Sequence, residues 1–429
     1  MAFIFFLIYV IFLLIRPHEW GLEAQESIVV RLSLMICMAA FLSFNKNKNL
    51  NAPQFTLMLL LSSAVTISLI FTGWIGGAIE LGIAFITTAL IPFILVSGII
   101  DTQKKQSIMF SLIIISALIM VLNGHTQVTS ETGIGIAGNL IKVQSTAERI
   151  TYLGYFNDPN DLGMFLVMTL PALFFFKGSA NILLRLPLWI AIFAILYGVY
   201  LTNSRGTLVA LLSLVSLWFW KKYGIKKSIF AAILLSPALL YVITRFRTIS
   251  AEDASSQGRL DAWYEGYQMF ISSPLFGIGN GQFLEYHNQT AHNSFVLVFA
   301  ELGLYGVLIW TGILVTTVTM LIKISNLNFI PASLPEKDKR MQLAIKESRI
   351  ALCLLYSLLA FMVSGFFLSR AYTPLLYLYI GMATACWGRV QVLFPGESKL
   401  YDIRQLSILT VKVTLAGIVG IFLLIKLAL

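Results

Sequence analysis

Charge is scarce in this chain of 429 residues, since only 12% are Asp, Glu, Lys or Arg, whereas 58% are hydrophobic. Soluble domains average about 25% charged and about 45–50% apolar residues. Such a chain has too few charges to cover a soluble surface, and its mean hydropathy is +0.84. The composition therefore predicts an integral membrane protein. Because the apolar runs are continuous rather than alternating, they favour spanning helices over an outer-membrane barrel.

Cysteine is rarer still, and all three residues lie inside apolar segments: Cys37, Cys353 and Cys386. Their spacing fits neither a metal site nor a disulfide framework. The signatures G-x-S-x-G, H-E-x-x-H and C-x-x-C are also missing from the sequence. Serine hydrolase, zinc protease and dithiol redox chemistry are thereby excluded. We expect neither a metal nor a cofactor.

Long apolar runs recur along the whole chain, and a run of about 18 or more residues suits a membrane-spanning helix. They predict an all-α protein with roughly 12 or 13 spans. The candidate spans are 2–15, 28–44, 55–72, 76–100, 108–122, 162–176, 182–201, 207–220, 229–243, 294–322, 350–367, 375–387 and 406–429. Segment 76–100 is long enough to contain a break. Segment 2–15 lacks a basic n-region and a small-residue cleavage site, so we expect a retained helix rather than a signal peptide.

The loops between these runs sort into two sets by charge. One set is rich in lysine and arginine, at 46–48, 104–105, 177–185, 221–227, 337–349 and 389–404. Short basic loops stay on the cytoplasmic side, so we expect this set and the N-terminus in the cytoplasm. The other set, at 16–27, 123–160, 202–206, 245–292 and 369–374, would face the opposite side. The confinement of basic residues to short loops between spans argues against a nucleic-acid partner.

The longest polar interruption, residues 245–301, combines arginine, histidine, acidic and aromatic side chains. It begins in the non-cytoplasmic set, and any chemistry is expected there. Pro274 and the GIGNG segment at 277–281 lack the Lys-Ser/Thr ending of a P-loop. They predict a tight turn that places the residues after it.

Arg205 lies in TNSRGT, between two predicted helices. Its guanidinium fork suits two phosphate oxygens, and Gly206 would let a ligand approach closely. A snorkelling arginine at the membrane interface is the alternative.

Arg259 lies in SSQGRLDAWYEG, for which we predict a turn at 255–258 followed by an amphipathic helix at 260–271. It would then share a face with Trp263 and lie near the helix N-terminal amides, which favour anions. The alternative is a solvated pair with Asp261 or Asp253. The aromatic side chains of Trp263, Tyr264 and Tyr267 either stack on sugar rings or rest at the membrane interface.

His292 and Asn293 open the next apolar helix. Histidine titrates near neutrality and can accept a proton from an attacking alcohol. Asn293 either orients that histidine, binds a ligand hydroxyl or caps the helix. Glu301, nine residues after His292, lies within an apolar segment, where an acid needs a partner.

The segment FNDPNDLG contains Asp158, Asn160 and Asp161. Carboxylates suit hard cations, but Asp-Pro-Asn is also a turn and helix-start signal, which we favour. No Asp-x-Asp stands elsewhere in the non-cytoplasmic loops, so a metal-dependent glycosyltransferase has little support.

The succession SRG, then GRLDAWYEGYQMFISSPLFGIGNGQF, then AHNSFVLVFAELGLYG resembles the O-antigen ligase and polymerase superfamily. The shared motif is an arginine, a Trp-containing helix, Pro-x-x-Gly-x-Gly, and His-Asn before a helix with Glu-x-Gly-x-x-Gly. FNDPNDLG is similar to that family's Asn-Pro-Asn segment. The resemblance implies a GT-C-like arrangement: N-terminal membrane helices at 1–200, a ligase-like core at 201–322 with a periplasmic loop at 245–292, and C-terminal helices at 323–429.

The same resemblance implies transfer of a glycan from undecaprenyl pyrophosphate at the periplasmic face of a bacterial inner membrane. Arg205 and Arg259 would bind the diphosphate and His292 would act on the acceptor hydroxyl, with Asn293, Glu301, Trp263, Tyr264 and Asn160 in support. Lipid A-core is the expected acceptor. A glycan polymerase or a protein O-oligosaccharyltransferase of the same superfamily is the alternative. A transporter of polyprenyl-linked glycan or anionic lipid is the alternative from another class.

Overall fold

The computed structural model describes residues 1–21, 28–45, 51–144, 147–178, 181–228, 254–328, 330, 338–395 and 402–428. These residues are almost entirely helical. The helices are α1 (Ala2–Leu14), α2 (Ile28–Phe44), α3 (Pro53–Phe71), α4 (Ile75–Phe85), α5 (Ile91–Ile99), α6 (Gln103–Thr129), α7 (Pro159–Lys177), α8 (Ile182–Leu201), α9 (Arg205–Tyr223), α10 (Ala254–Ser272), α11 (Phe283–Tyr286), α12 (Ser294–Ser325), α13 (Lys339–Gly365), α14 (Pro374–Leu393) and α15 (Ile403–Ala428). The strands β1 (Lys142–Gln144) and β2 (Ala147–Arg149) form an antiparallel hairpin in which Lys142 pairs with Arg149.

The all-α prediction is confirmed, and every predicted span except 229–243 coincides with a helix. The 229–243 span lies outside the described residues. Among the described helices, eight are long and apolar enough to cross a membrane, and α1 and α2 are shorter apolar helices. The chain is therefore a multi-pass membrane protein, while the total of 12 or 13 spans stays a prediction.

The predicted break in segment 76–100 is present. Residues Ile86–Leu90 form a π-helical turn between α4 and α5. Pro92 follows directly, at the start of α5. Proline has no amide hydrogen and so removes one helical hydrogen bond, and a π-turn is a common way to absorb that loss.

The predicted non-cytoplasmic loops meet at one end of the bundle, which we name the site end. The Tyr152 hydroxyl donates to the carbonyl of Ile15 at 2.6 Å. The Ile150 amide donates to the carbonyl of Leu201 at 3.3 Å, so the loop before α7 contacts both the α1 and α8 ends. The loop between α13 and α14 joins them through α12, because Ser294 Oγ donates to the carbonyl of Leu368 at 2.6 Å.

The opposite end, which we name the lysine-rich end, is held by a buried ion pair. Arg389 Nε and Nη2 donate to the Glu347 carboxylate at 2.7 and 3.0 Å. Arg389 Nη1 also donates to the carbonyl of Ile100 at 2.7 Å, beyond the end of α5. A buried charge needs such pairing. One interaction thus joins α5, α13 and α14.

Candidate functional site

Arg205 is the first residue of α9. Ser204 caps that helix, because its Oγ accepts from the amide of Thr207 at 3.3 Å. The Arg205 side chain is exposed at the site end, and it makes no hydrogen bond or ion pair with a described residue. Close packing explains the glycine at position 206, since an added Cβ would lie 3.1 Å from Cβ of Phe367. The glycine makes room for Phe367, just after the end of α13, and the approach of a ligand at Gly206 stays a prediction.

Arg259 lies on α10, but the predicted turn at 255–258 is wrong, because α10 already includes Ala254. Arg259 is therefore in the second turn, too far along for the N-terminal amides to reach an anion beside it. Helix continues through Gly258, where an added Cβ would lie 3.1 Å from Gln289 Oε1. The half-buried Arg259 side chain makes no ion pair with Asp261 or with any other described acid.

Arg149, which lies in none of the sequence motifs, joins the two predicted arginines. Its Nε donates to the carbonyl of Thr202 at 3.0 Å, which places it beside the start of α9. Its Nη2 donates to Oδ1 of Asn160 at 2.8 Å. The supporting role proposed for Asn160 thus becomes a contact with this third arginine. No sequence signal marks Arg149, because the β-hairpin that carries it is short and polar.

The three arginines are close enough to affect one another. Burial lowers the pKa of Arg259, the Arg205 charge lowers it further, and Asp158 opposes both. Burial likewise lowers the pKa of Arg149, with Asp158 opposing and the charges of Arg205 and Arg259 adding to the effect. The like charges of the three arginines repel one another, so binding of an anion among them would be favourable.

His292 lies in the loop just before α12, with φ 46° in the left-handed region. Burial lowers its pKa, as do the charges of Arg259 and Arg370, while Asp158 acts in the opposite direction. The imidazole is therefore neutral at pH 7 and able to accept a proton. One of the charges that act on His292 is thus that of a predicted diphosphate arginine, Arg259.

Asn293 caps α12, which is one of the roles predicted for it from its position just before an apolar helix. Its Oδ1 accepts from the amides of Phe295 and Val296 at 2.9 and 3.2 Å. The side chain is fully buried, and its Nδ2 has no hydrogen-bond partner in the structure. Asn293 thus fixes the helix start that follows His292.

Trp263 is buried rather than open to a sugar ring. Its Nε1 donates to the carbonyl of Ala291 at 2.9 Å, and its ring packs edge-on against Phe366. This contact joins α10, which carries Arg259, to the loop that carries His292. Tyr264 is 41% exposed. Tyr267 packs against Phe422 of α15.

Glu301 gains a role from its neighbours. Its buried carboxylate accepts from Nδ2 of Asn280 at 3.4 Å and faces the backbone amides of Gly281 and Phe283. The Gly279 amide donates to the Glu301 carbonyl at 3.0 Å. Both the side chain and the backbone of Glu301 therefore hold the glycine-rich turn.

The glycine-rich turn that follows Pro274 packs against α12 at a kink in that helix. Gly303 has φ 60° and ψ −162°, which are not helical values. The amide of Leu304 then donates to the carbonyl of Pro274 at 2.8 Å. A Cβ on Gly303 would lie 2.6 Å from the nitrogen of Gly277, so only glycine fits there. The predicted tight turn is thus held against α12 at Gly303, which is eleven residues after His292.

The two aspartates of FNDPNDLG have separate roles. Asp158 caps α7, with its Oδ1 accepting from the amide of Asn160 at 2.8 Å, as the turn and helix-start interpretation predicted. Asp161 is buried and forms a two-pronged ion pair with Arg370, at 2.6 Å to Nε and 2.5 Å to Nη2. Arg370 had no motif to mark it. Its amide donates to Ser294 Oγ at 2.9 Å, which ties it to the start of α12.

A cavity of about 600 Å³ opens beside this ion pair. Its lining residues come from the loop after α1, from β1, from the start of α7 and the loop before it, and from the loop before α14: Arg16, Lys142, Gly154, Tyr155, Asn157, Asp158, Asp161, Ser369, Arg370, Tyr372 and Thr373. Its volume lies within the range of about 300–1,000 Å³ that is common for small-molecule sites. Two of these residues, Asp158 and Arg370, are among the charges that act on His292.

Comparison with known proteins agrees with this arrangement. The family model Wzy_C, described as O-antigen ligase, matches residues 190–311. That segment contains Arg205, Arg259, His292 and the Glu301–Gly303 kink. No curated protein shows a significant match to the chain. The family match confirms the resemblance that the motifs predicted: residues 190–311 are similar to O-antigen ligases, within a chain whose apolar helices are those of a multi-pass membrane protein.

Proposed function

We propose that the protein transfers a glycan from undecaprenyl pyrophosphate to an acceptor hydroxyl at the periplasmic face of a bacterial inner membrane. The observation that carries this proposal is the meeting of Arg205, Arg259 and a neutral His292 at one end of the bundle, from two separate loops. Cationic side chains that form no ion pair within the protein can bind a diphosphate, and an unprotonated imidazole can accept the proton of an alcohol.

The diphosphate binds Arg205 and Arg259, with Arg149 beside them. Neither Arg205 nor Arg259 forms an ion pair with a described carboxylate, so both guanidinium groups remain available to bind phosphate oxygens. Guanidinium groups held in place stabilise the charge that develops on the leaving diphosphate. Undecaprenyl pyrophosphate then departs with the electron pair of the broken bond between its oxygen and the anomeric carbon.

His292 accepts the proton of the acceptor hydroxyl as the acceptor oxygen bonds to the anomeric carbon. Such general-base assistance typically contributes about 10²–10⁴-fold in rate. Direct attack from the side opposite the leaving group inverts the anomeric centre. The step uses only groups of this chain, the donor and the acceptor.

Lipid A-core is the proposed acceptor, and a growing glycan or a protein hydroxyl is the alternative within the superfamily. The test reconstitutes the purified protein in liposomes with a glycan-loaded undecaprenyl pyrophosphate and each acceptor, and identifies products by mass spectrometry. Glycan on lipid A-core is the expected result. Longer polyprenyl-linked chains would assign a polymerase, and glycan on a serine or threonine would assign a protein glycosylation enzyme.

A transporter of anionic lipid is the rival from another class. Its sites would lie near the membrane midplane, between matched broken helices, whereas the arginines and the histidine lie at the site end of the bundle. Movement of lipid-linked glycan across the liposome membrane without any new glycosidic bond would overturn the proposal.

A further inference from the structure

The cavity beside the Asp161–Arg370 ion pair has a chemistry unlike that of the arginine cluster. Its wall combines two carboxylates, Asp158 and Asp161, with the cationic side chains of Arg16, Lys142 and Arg370. Arg370 is paired with Asp161, and Arg16 is paired with Glu19 at 3.3 Å. Most of the positive charge is therefore already matched, which disfavours a diphosphate in this space.

The remaining lining groups suit a polyhydroxylated ligand. Asn157, Ser369 and Thr373 supply amide and hydroxyl groups that can both donate and accept. Tyr155, which is 43% exposed, supplies an aromatic ring at the rim. Fixed charges, neutral polar groups and an aromatic ring together match the alternating hydroxyl groups and apolar faces of sugar rings.

Two atoms of the lining add an independent observation. Arg16 Nε and Ser369 Oγ are both buried, and neither has a hydrogen-bond partner among the residues that the structure describes. A buried polar atom without a partner is destabilising, so native structures rarely leave one unmatched. Hydroxyl groups of a ligand in the cavity would satisfy both.

The cavity is also placed correctly for an acceptor. Its residues Asp158 and Arg370 both act electrostatically on His292, and the amide of Arg370 is bonded to Ser294, two residues after His292. The general base must lie beside the attacking hydroxyl. A saccharide in the cavity would thus lie against the residues that adjoin the segment carrying the base, while the donor diphosphate lies among the arginines.

We propose that this cavity, built around Asp161 and Arg370, is the binding site for the acceptor, and that the acceptor is recognised there as a saccharide. This inference rests on the proposed transfer function, because it assigns the second substrate of the same site. Its test measures binding, so that it can fail separately from transfer.

The experiment measures binding of three probes to the full chain in detergent. The probes are undecaprenyl pyrophosphate, core oligosaccharide released from lipopolysaccharide as the acceptor, and O-antigen repeat oligosaccharide as the donor glycan. The cavity variants are Tyr155→Ala and the double variant Asp161→Asn/Arg370→Gln, which removes both charges together. Arg259→Gln serves as the diphosphate-site variant. Tyr286→Ala is the control, because Tyr286 is 60% exposed and does not line the cavity.

The double variant is expected to bind core oligosaccharide about tenfold more weakly or worse, since lost hydrogen bonds to charged groups weaken binding by at least about that factor. Tyr155→Ala is expected to bind it more weakly as well, because the aromatic face that packs on a sugar ring is lost. Their affinity for undecaprenyl pyrophosphate should stay within about twofold of the parent. Arg259→Gln should give the reverse pattern, and Tyr286→Ala should change neither.

Three results would overturn the inference. The first is a parent protein that does not bind core oligosaccharide. The second is weakened binding of undecaprenyl pyrophosphate by the cavity variants, and the third is a loss confined to the O-antigen repeat. A parent that binds both substrates but forms no glycosidic bond would instead contradict the proposed function.

Discussion

The indole nitrogen of Trp263 donates a hydrogen bond to the carbonyl oxygen of Ala291 at 2.9 Å. Trp263 lies one helical turn after Arg259 on α10, and Ala291 directly precedes His292. A single buried contact therefore ties the helix of a diphosphate arginine to the loop of the general base. The distance between these two groups decides whether the hydroxyl and the anomeric carbon meet correctly.

Trp263→Phe is expected to lower kcat for transfer about fivefold or more while leaving donor affinity unchanged, because it removes the bond but keeps an aromatic ring against Phe366. A lost hydrogen bond that leaves a buried carbonyl unmatched costs about 1–3 kcal/mol. Steady-state transfer assays and donor titration measure the two quantities. Trp189→Phe is the control, because Trp189 packs against Phe193 and Lys177, away from the site end. Equal losses in both variants would contradict a positioning role for Trp263.

His292→Asn is expected to lower transfer by about 10²–10⁴-fold, the usual contribution of a general base. Asparagine is chosen because it tolerates the positive φ of this position, so the loop keeps its shape. Donor binding and the thermal unfolding temperature should match those of the parent. Transfer at the parent rate by a folded His292→Asn protein would remove His292 from the mechanism.

The pH profile of transfer should have an acid limb below the ordinary histidine pKa of about 6.5. The base must be neutral, and burial together with the charge of Arg259 lowers the pKa of His292. Activity is then complete at neutral pH and falls as the pH drops through that lowered pKa. Arg259→Gln removes one of the positive neighbours, so the limb should move to higher pH. A kcat/KM profile for donor measures the midpoint, and a shift to lower pH would show that another group controls it.

Arg205→Gln and Arg259→Gln should each weaken binding of undecaprenyl pyrophosphate by about ten- to hundredfold, because a hydrogen bond to a charged group contributes about 1.5–3 kcal/mol. Lysine at either position should restore only part of the affinity, since it lacks the planar fork. Arg340→Gln is the control, because Arg340 forms its own ion pair with Asp338 in the lysine-rich part of the chain. Parent-like donor affinity in Arg259→Gln would place Arg259 outside the diphosphate site.

Gly303→Ala is expected to destabilise the protein by at least about 1–3 kcal/mol, the strain of a disallowed backbone conformation. The added Cβ would also lie 2.6 Å from the nitrogen of Gly277 and so displace the glycine-rich turn. Gly312→Ala on the same helix is the matched control, because its nearest neighbour would lie at an ordinary 3.6 Å. Thermal unfolding in detergent compares the two. Similar unfolding temperatures would mean that the turn is not clamped at Gly303.

The sequence predicted the helical spans well because each depends on a local property, a continuous apolar run. The two ends of the bundle were also predictable, since lysine-rich loops alternate with polar ones. The start of α10 was not. Serine and glycine at 255–258 are typical of a turn, but such local preferences are weak, and the helix includes these residues.

The candidate site likewise contains residues that the sequence predicted and residues that only the structure identified. Arg205, Arg259 and His292 stand in motifs, so the sequence alone singled them out as candidates. Arg149, Arg370 and the cavity between three loops could not be found in it, because their partners are more than fifty residues away or lie on other helices. Likewise, Glu301 was recognisable as an acid in need of a partner, but only the folded chain supplied that partner, through the kink at Gly303 and the turn that enters it. Composition and periodicity determine which segments enter a membrane, whereas the juxtaposition of charged groups at the site end is decided by tertiary packing, which no local pattern encodes.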